Sequence, residues 1–201
     1  MAKILFRRFK EDMMNVSFYG LKENIQYGHE AIARVKKDYP NGFKSNTYYE
    51  MFSEEKKPKI VEEYTQGILN SRQQLKRHLR HGLMERDATE IIVKETGFAN
   101  CGEQAFLISN RLKQMGIEHK VINMAICSTK TNYVENGHTF CVIDTDFPID
   151  PMEPRSWSED SVIVDMWSNT VAKSKDAIEY FYELFKPQPR EQYVRFTRVF
   201  E

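Results

Sequence analysis

Three residues in this chain have the types and spacing for nucleophilic chemistry: Cys101, His138 and Asp165. Cys101 follows Gly97-Phe98-Ala99-Asn100 and opens the run Gly102-Glu103-Gln104-Ala105. Apolar residues then recur at Ala105, Ile108, Leu112 and Met115. Steps of three and four predict an amphipathic helix closed by Gly116, with Cys101 in its first turn on the inward stripe. An ordinary thiol titrates near ~8.5 and is mostly protonated at neutral pH. A helix start counters that, because its unpaired N–H groups and partial positive charge favour a thiolate. The same amides, that of Cys101 included, could hold the oxyanion of a tetrahedral intermediate. Asn100 or Gln104 could add a side-chain donor, and the spacing does not choose between them.

His138 follows Asn136-Gly137 and begins the apolar run Thr139-Phe140-Cys141-Val142-Ile143. In a strand His138, Phe140 and Val142 share one face and Thr139, Cys141 and Ile143 the other, which argues against a zinc site built from His138 and Cys141. Asp165 closes Val162-Ile163-Val164, where a carboxylate can accept the imidazole N–H and stabilise the imidazolium. Its ordinary reading is a strand-end turn residue. Asp144, Asp146 and Asp150 are rivals, but they sit in an acidic, proline-containing stretch that reads as loop. Trp167 could line a cleft or simply pack, Trp157 reads as packing, and Cys127 and Cys141 read as small buried hydrophobes.

The elements that must position these residues read as helices first and a mixture later. A short strand or turn is expected near Ile4 to Phe6, and a helix from Leu21 to Val35 ended by Pro40-Asn41-Gly42. From Pro58 to Leu83 an apolar stripe steps along Ile60, Val61, Tyr64, Ile68, Leu75, Leu79 and Leu83. The intervening Arg72, Lys76, Arg77, Arg80, His78 and His81 read as the solvated back of that helix. No carboxylate or cysteine at helical spacing completes a metal site with the two histidines. Asp87-Ala88-Thr89-Glu90 has the form of a capping box, opening a helix that ends at Gly97. Strands are expected at Lys120 to Ile126, His138 to Ile143, Ser161 to Met166 and Gln192 to Phe200, with Ser128 to Gly137 as a loop. Ser174 is expected to cap a last helix with Ile178, Phe181, Tyr182 and Phe185 on its apolar face.

A change in character near residue 86 divides the chain into a mainly helical N-terminal lobe, 1–85, and a Cys-His-Asp core, 86–201. Composition narrows the partners. Lysine plus arginine balances aspartate plus glutamate, 29 against 29, so no global field favours nucleic acid or acidic lipid. Three cysteines without paired spacing fit a reducing cytoplasm. No run approaches the ~20 apolar residues of a membrane helix, and the first residues lack the ~7–15 of a Sec signal.

Asn100-Cys101-Gly102-Glu103-Gln104-Ala105, Gly137-His138-Thr139-Phe140-Cys141-Val142-Ile143 and Val162-Ile163-Val164-Asp165-Met166-Trp167 together resemble the Cys-His-Asp core of transglutaminase-like, papain-fold enzymes. The branch they resemble is that of bacterial effectors delivered into host cells. The likeness spans roughly 95–170. It implies an α+β fold with a nucleophile helix packed on an antiparallel sheet, Cys101 as nucleophile, His138 as base, Asp165 as orienting acid, and no metal or cofactor. It further implies a protein substrate of a host cell, delivery without a Sec signal, and room for a regulatory protein partner. The expected activity is acyl transfer at glutamine side chains, by cross-linking or deamidation. Proteolysis by the same triad is the first alternative, and a binding scaffold using the basic helix is the second.

Overall fold

A computed structural model describes residues 2–45, 57–144, 153–188 and 191–199. Within them the fold is α+β. Its helices are α1 (Ala2–Asp38), α2 (Lys57–Arg80), α3 (Glu85–Thr96), α4 (Cys101–Gln114) and α5 (Ser174–Phe185). The strands β1 (His119–Ser128), β2 (Val134–Ile143), β3 (Val162–Asp165), β4 (Thr170–Lys173) and β5 (Gln192–Val199) form one sheet. Every ladder is antiparallel and the order is β4-β3-β2-β1-β5.

Strand alternation gives the sheet two buried faces. Val121, Cys141, Ile143, Val162 and Val164 point toward α1 and α4, where they meet Ala31, Val35, Leu107, Ile108 and Leu112. Ile122, Met124, Phe140, Val142 and Ile163 point the other way and meet Ala177 and Phe181 of α5, Trp157 and Phe196. The nucleophile helix and the last helix therefore cover opposite faces. The C-terminal half of α1 shares its core with α4 and the sheet, so residues before and after 86 pack on common ground.

Several local expectations are corrected. Ile4 to Phe6 lie within α1, not in a strand or turn, because no proline interrupts the chain before Pro40. α1 ends at Asp38, short of that proline, as the steric restriction before proline requires. α3 starts at Glu85 rather than after Asp87. Its N-cap is Met84, without a side-chain cap bond, and Glu90 turns to Arg111 and Lys94 instead of the helix start. The expected end at Gly97 holds, with φ of 74° and its N–H donating to the Val93 carbonyl. β2 begins at Val134, inside the stretch read as loop. Its first four residues are exposed, so they carry no apolar alternation. Ser174 is the first residue of α5 rather than its cap, and its buried hydroxyl has no hydrogen-bond partner. The strand β4 was not expected at all. The prolines 148 and 151, together with Asp146, Asp150 and Phe200, lie outside the described residues.

Two features fix α1 and α3 against α4. Gly28 of α1 lies where an added Cβ would stand 2.7 Å from Val171 Cγ1 and 2.8 Å from Val164 Cγ2. Glycine there lets α1 approach β3 and β4 closely. At the other contact Arg111, near the C-terminal end of α4, is buried at 4% exposure. It donates to Asp38 Oδ2 at 2.7 Å and to Glu90 Oε1 at 2.8 Å, joining α1, α3 and α4. Its bond outweighs the effect of burial on Glu90, and with help from Lys94 the carboxyl is lowered to about 2.

Gly28→Ala gains ~1 kcal/mol of helix propensity but forces a methyl into two stiff valines at a typical ~1–3 kcal/mol. Overpacking wins, and the variant should unfold at lower denaturant concentration with an unchanged slope. A carboxyl lowered in the folded state contributes stability above its unfolded titration range and loses it as pH falls toward its folded value. The stability gap between wild type and Glu90→Gln should therefore be full above about pH 5 and close as pH falls toward about 2. Thermal unfolding across that range checks it.

Candidate active site

Cys101 is the first residue of α4, and the chain before it is held on three sides. The Asn100 backbone N–H donates to Glu103 Oε2 at 3.0 Å, while the Asn100 side chain accepts from the backbone of Glu103, a reciprocal capping box. Ser45 Oγ donates to Asn100 Oδ1 at 2.7 Å, and residues 44 and 98 form an isolated bridge that lays this segment alongside. Arg72 of α2 grips Glu103, with Nε to Oε1 at 2.8 Å and Nη2 to Oε2 at 3.3 Å. Beside the nucleophile, a Cβ added to Gly102 would meet none of the described residues within 4 Å.

His138 sits on β2 opposite Met124, on the α5 face with Phe140 and Val142, as strand parity predicted. The ladder between β2 and β3 ends with Cys141 paired to Val164. Asp165 is the next residue of β3, which places its side chain on the same face as His138. The two meet: His138 Nε2 and Asp165 Oδ2 are 2.8 Å apart, and both side chains are 2% exposed. With Nε2 engaged by the carboxylate, Nδ1 is the nitrogen left for the thiol. Cys101 is electrostatically coupled to this ring, in the sense that favours the charged imidazole. His138 lies beyond the end of the β2–β3 ladder, on the face opposite the one α4 covers.

Asp165 accepts more than the imidazole. The Trp167 N–H donates to Oδ1 at 3.0 Å, the Ser168 N–H to Oδ2 at 3.2 Å, and the Ser168 hydroxyl bridges Asp165 and Thr170, at 2.8 Å from the latter. The turn Asp165-Met166-Trp167-Ser168 is therefore an Asx-type turn that aims the carboxylate. Rings enclose His138: Trp167 at 5.0 Å between centroids, Phe181 at 4.9 Å edge-on, and Phe185 at 5.6 Å. This wall removes water and also presents π-systems to a cation. Burial pushes the ring pKa down. The bond to Asp165, together with the attraction of Asp165 and Cys101, outweighs it, and the ring is raised to about 9. At neutral pH His138 is therefore an imidazolium held against a carboxylate.

The other candidates separate cleanly. Gln104 is buried and its amide donates to the Ala99 carbonyl at 3.0 Å, bracing the turn before Cys101. Asn100 is half-buried at the helix start and so is the more accessible of the two expected oxyanion candidates. Trp167 lines the site against His138, whereas Trp157 packs on Phe196. Asp144 accepts from the N–H and hydroxyl of Ser158 and takes no part. Cys141 points to the opposite face and donates to the Ala105 carbonyl at 3.1 Å. Among the described residues no three His, Cys, Asp or Glu side chains are grouped to hold a metal ion. A second hydroxyl–imidazole pair, Ser109 with His119 at 2.7 Å, is sealed because Ser109 is fully buried.

Sequence reasoning missed Arg72, Glu103, Ser168 and the α5 rings. Two of these had local signals. Asn100-x-x-Glu103 is a capping-box spacing, and Asp165-x-x-Ser168 is a turn spacing. No family model, curated protein or solved structure matches the chain. The geometry of the site therefore carries the functional argument.

A ring pKa raised on folding contributes stability that is complete below the unfolded value near ~6.5 and is lost as pH rises through the folded value. An NMR titration should find the His138 ring changing charge near pH 9 in the wild type. In Asp165→Asn the largest opposing contribution is gone, burial dominates, and the midpoint should fall by at least about one unit. An unmoved midpoint would remove Asp165 from its assigned role.

Proposed function

We propose that this protein is a thiol acyl-transfer enzyme acting on glutamine side chains of a protein substrate, built on a papain/transglutaminase-like core. The observation that carries the reading is the buried His138–Asp165 pair, whose ring is electrostatically coupled to Cys101 at the start of α4. Three features support the core assignment. The nucleophile opens a helix packed on an antiparallel sheet, the base lies on β2 of that sheet, and the acid ends its neighbour β3. No helix among the described residues is long and apolar enough to cross a membrane. The resemblance of the motifs supports a glutamine carboxamide over a peptide bond and a host-cell protein as substrate.

In the proposed reaction the Cys101 thiolate attacks the carboxamide carbon. The oxyanion forms against the amides at the start of α4, with Asn100 beside them. As the C–N bond breaks, His138 gives its proton to the departing nitrogen, and ammonia leaves a thioester on Cys101. A primary amine or water then attacks the thioester while the now neutral His138 takes its proton. Collapse returns the thiolate and the imidazolium. With an amine the product is a cross-linked or aminated glutamine, and with water it is glutamate. Asp165 keeps the ring in one tautomer and stabilises its charge throughout, without taking the proton.

Incubation with a glutamine-bearing protein and a labelled primary amine should transfer label and release ammonia. Cys101→Ala and His138→Ala should each lower both by at least about a thousandfold. Mass spectrometry of the acceptor distinguishes the chemistry. A change at one glutamine supports the proposal, new peptide termini would replace it with proteolysis, and wild type equal to Cys101→Ala would end it.

A further inference from the structure

Arg72 was expected on the solvated back of its helix, yet it is bound to the first turn of α4. The way α2 docks explains how its position is held. Gly67 lies beneath Phe98, where an added Cβ would stand 2.2 Å from the ring. Tyr64 meets the same ring edge-on at 5.8 Å, and Ser71 lies 3.2 Å from Thr96. One face of α2 therefore seats on residues 96–98, just before the nucleophile. Arg72 continues along this face to make its two bonds to Glu103.

Glu103 poses an electrostatic problem for a thiolate at Cys101. Its carboxylate completes the capping box and so favours the helix. It also places a negative charge two residues from a sulfur that must carry one. Neutralising it without losing the cap requires a cation that leaves the carboxylate in place, and a forked guanidinium does that. Arg72 is 48% exposed and Glu103 12%, so the pair both helps to seat α2 and sets the field at the helix start.

We infer that Arg72 is a positioning residue for the Cys101 nucleophile, holding Glu103 in the cap while cancelling its charge at the sulfur. This role rests on the acyl-transfer reading of the site. Among the described residues, the charged groups near the start of α4 and the His138 pair are His138 and Asp165 from the sheet, Glu103 on the same helix, and Arg72 from α2. Glu85 of α3 couples to Glu103 from a further side. The guanidinium itself is electrostatically coupled to Cys101.

Alkylation of the full chain by iodoacetamide reads this directly, because Cys127 and Cys141 are buried and Cys101 is not. Arg72→Gln should slow alkylation at about pH 6 by roughly three- to tenfold and leave the rate near pH 10 within about twofold of wild type. Arg72→Lys should retain most of the low-pH rate, and adding Glu103→Gln to Arg72→Gln should reverse part of the loss. Equal slowing at every pH, accompanied by lower thermal stability, would reduce Arg72 to a structural brace and overturn the inference. A profile sensitive to His138→Ala but not to Arg72→Gln would overturn the Arg72 role alone. A profile insensitive to both would overturn the triad along with it.

Discussion

A carboxylate buried away from water must collect hydrogen-bond donors or give up its charge, and Asp165 collects them. Two backbone amides, one hydroxyl and one imidazole converge on its two oxygens at the end of β3. The amides and hydroxyl come from the turn that follows, so this part of the site is assembled locally by a few residues. The imidazole comes from the neighbouring strand and depends on register. A slip of one residue between β2 and β3 would send His138 to the α1–α4 face and leave the carboxylate with a ring it could not reach. The register is in turn held by Val162, Val164, Cys141 and Ile143 on one face and by Ile163, Phe140 and Val142 on the other, all essentially inaccessible. The chemistry is thus coupled to ordinary core packing through a single strand pairing.

The third member must arrive from elsewhere in the fold. α4 packs on the face opposite His138, so only its first residue can meet the ring, and its placement must be exact along the helix axis. Two sets of interactions divide that task. Near the C-terminal end Arg111 ties α4 to Asp38 and Glu90. At the N-terminal end Asn100, Glu103, Ser45 and Gln104 fix the turn that delivers Cys101. A helix pinned at both ends can neither slide nor pivot without breaking charged, partly buried bonds, which is costlier than losing apolar contact alone.

Much of this was legible along the chain because it is written in local periodicity. The step of three and four after Cys101 predicts an inward first turn, and the alternation after His138 assigns Phe140 and Val142 to one face and Cys141 to the other. A strand ended by Asp165 follows from the apolar run before it. What could not be read depends on contacts between distant segments. Asp87 and Glu90 have a cap's spacing, but α3 begins earlier and Arg111 claims Glu90 from another helix. Arg111 and Arg72 both look like surface cations in a helical pattern, since nothing near them in the chain names Asp38 or Glu103 as partner. β4 is too short to show an alternation, and the left-handed residue before it, Asn169 at φ of 56°, is its clearest local mark.

The contrast between two histidines shows what separates a reactive site from a structural one in this fold. His119 and Ser109 form a hydrogen bond as short as many catalytic ones, and the second ring nitrogen is occupied by the Ile117 carbonyl. That carbonyl requires Nδ1 to carry the proton, so Nε2 accepts from the serine hydroxyl, the arrangement of a general base. Yet the serine lies in the middle of α4 with no exposed surface, and a backbone carbonyl holds the other ring nitrogen where His138 has a carboxylate. His138 has the complementary set of conditions. A carboxylate backs it, an aromatic wall from α5 and Trp167 keeps water from its faces, and the sulfur coupled to it opens a helix rather than lying within one. Hydrogen bonding alone does not distinguish the two pairs. Access at a helix terminus and charge held behind the base do.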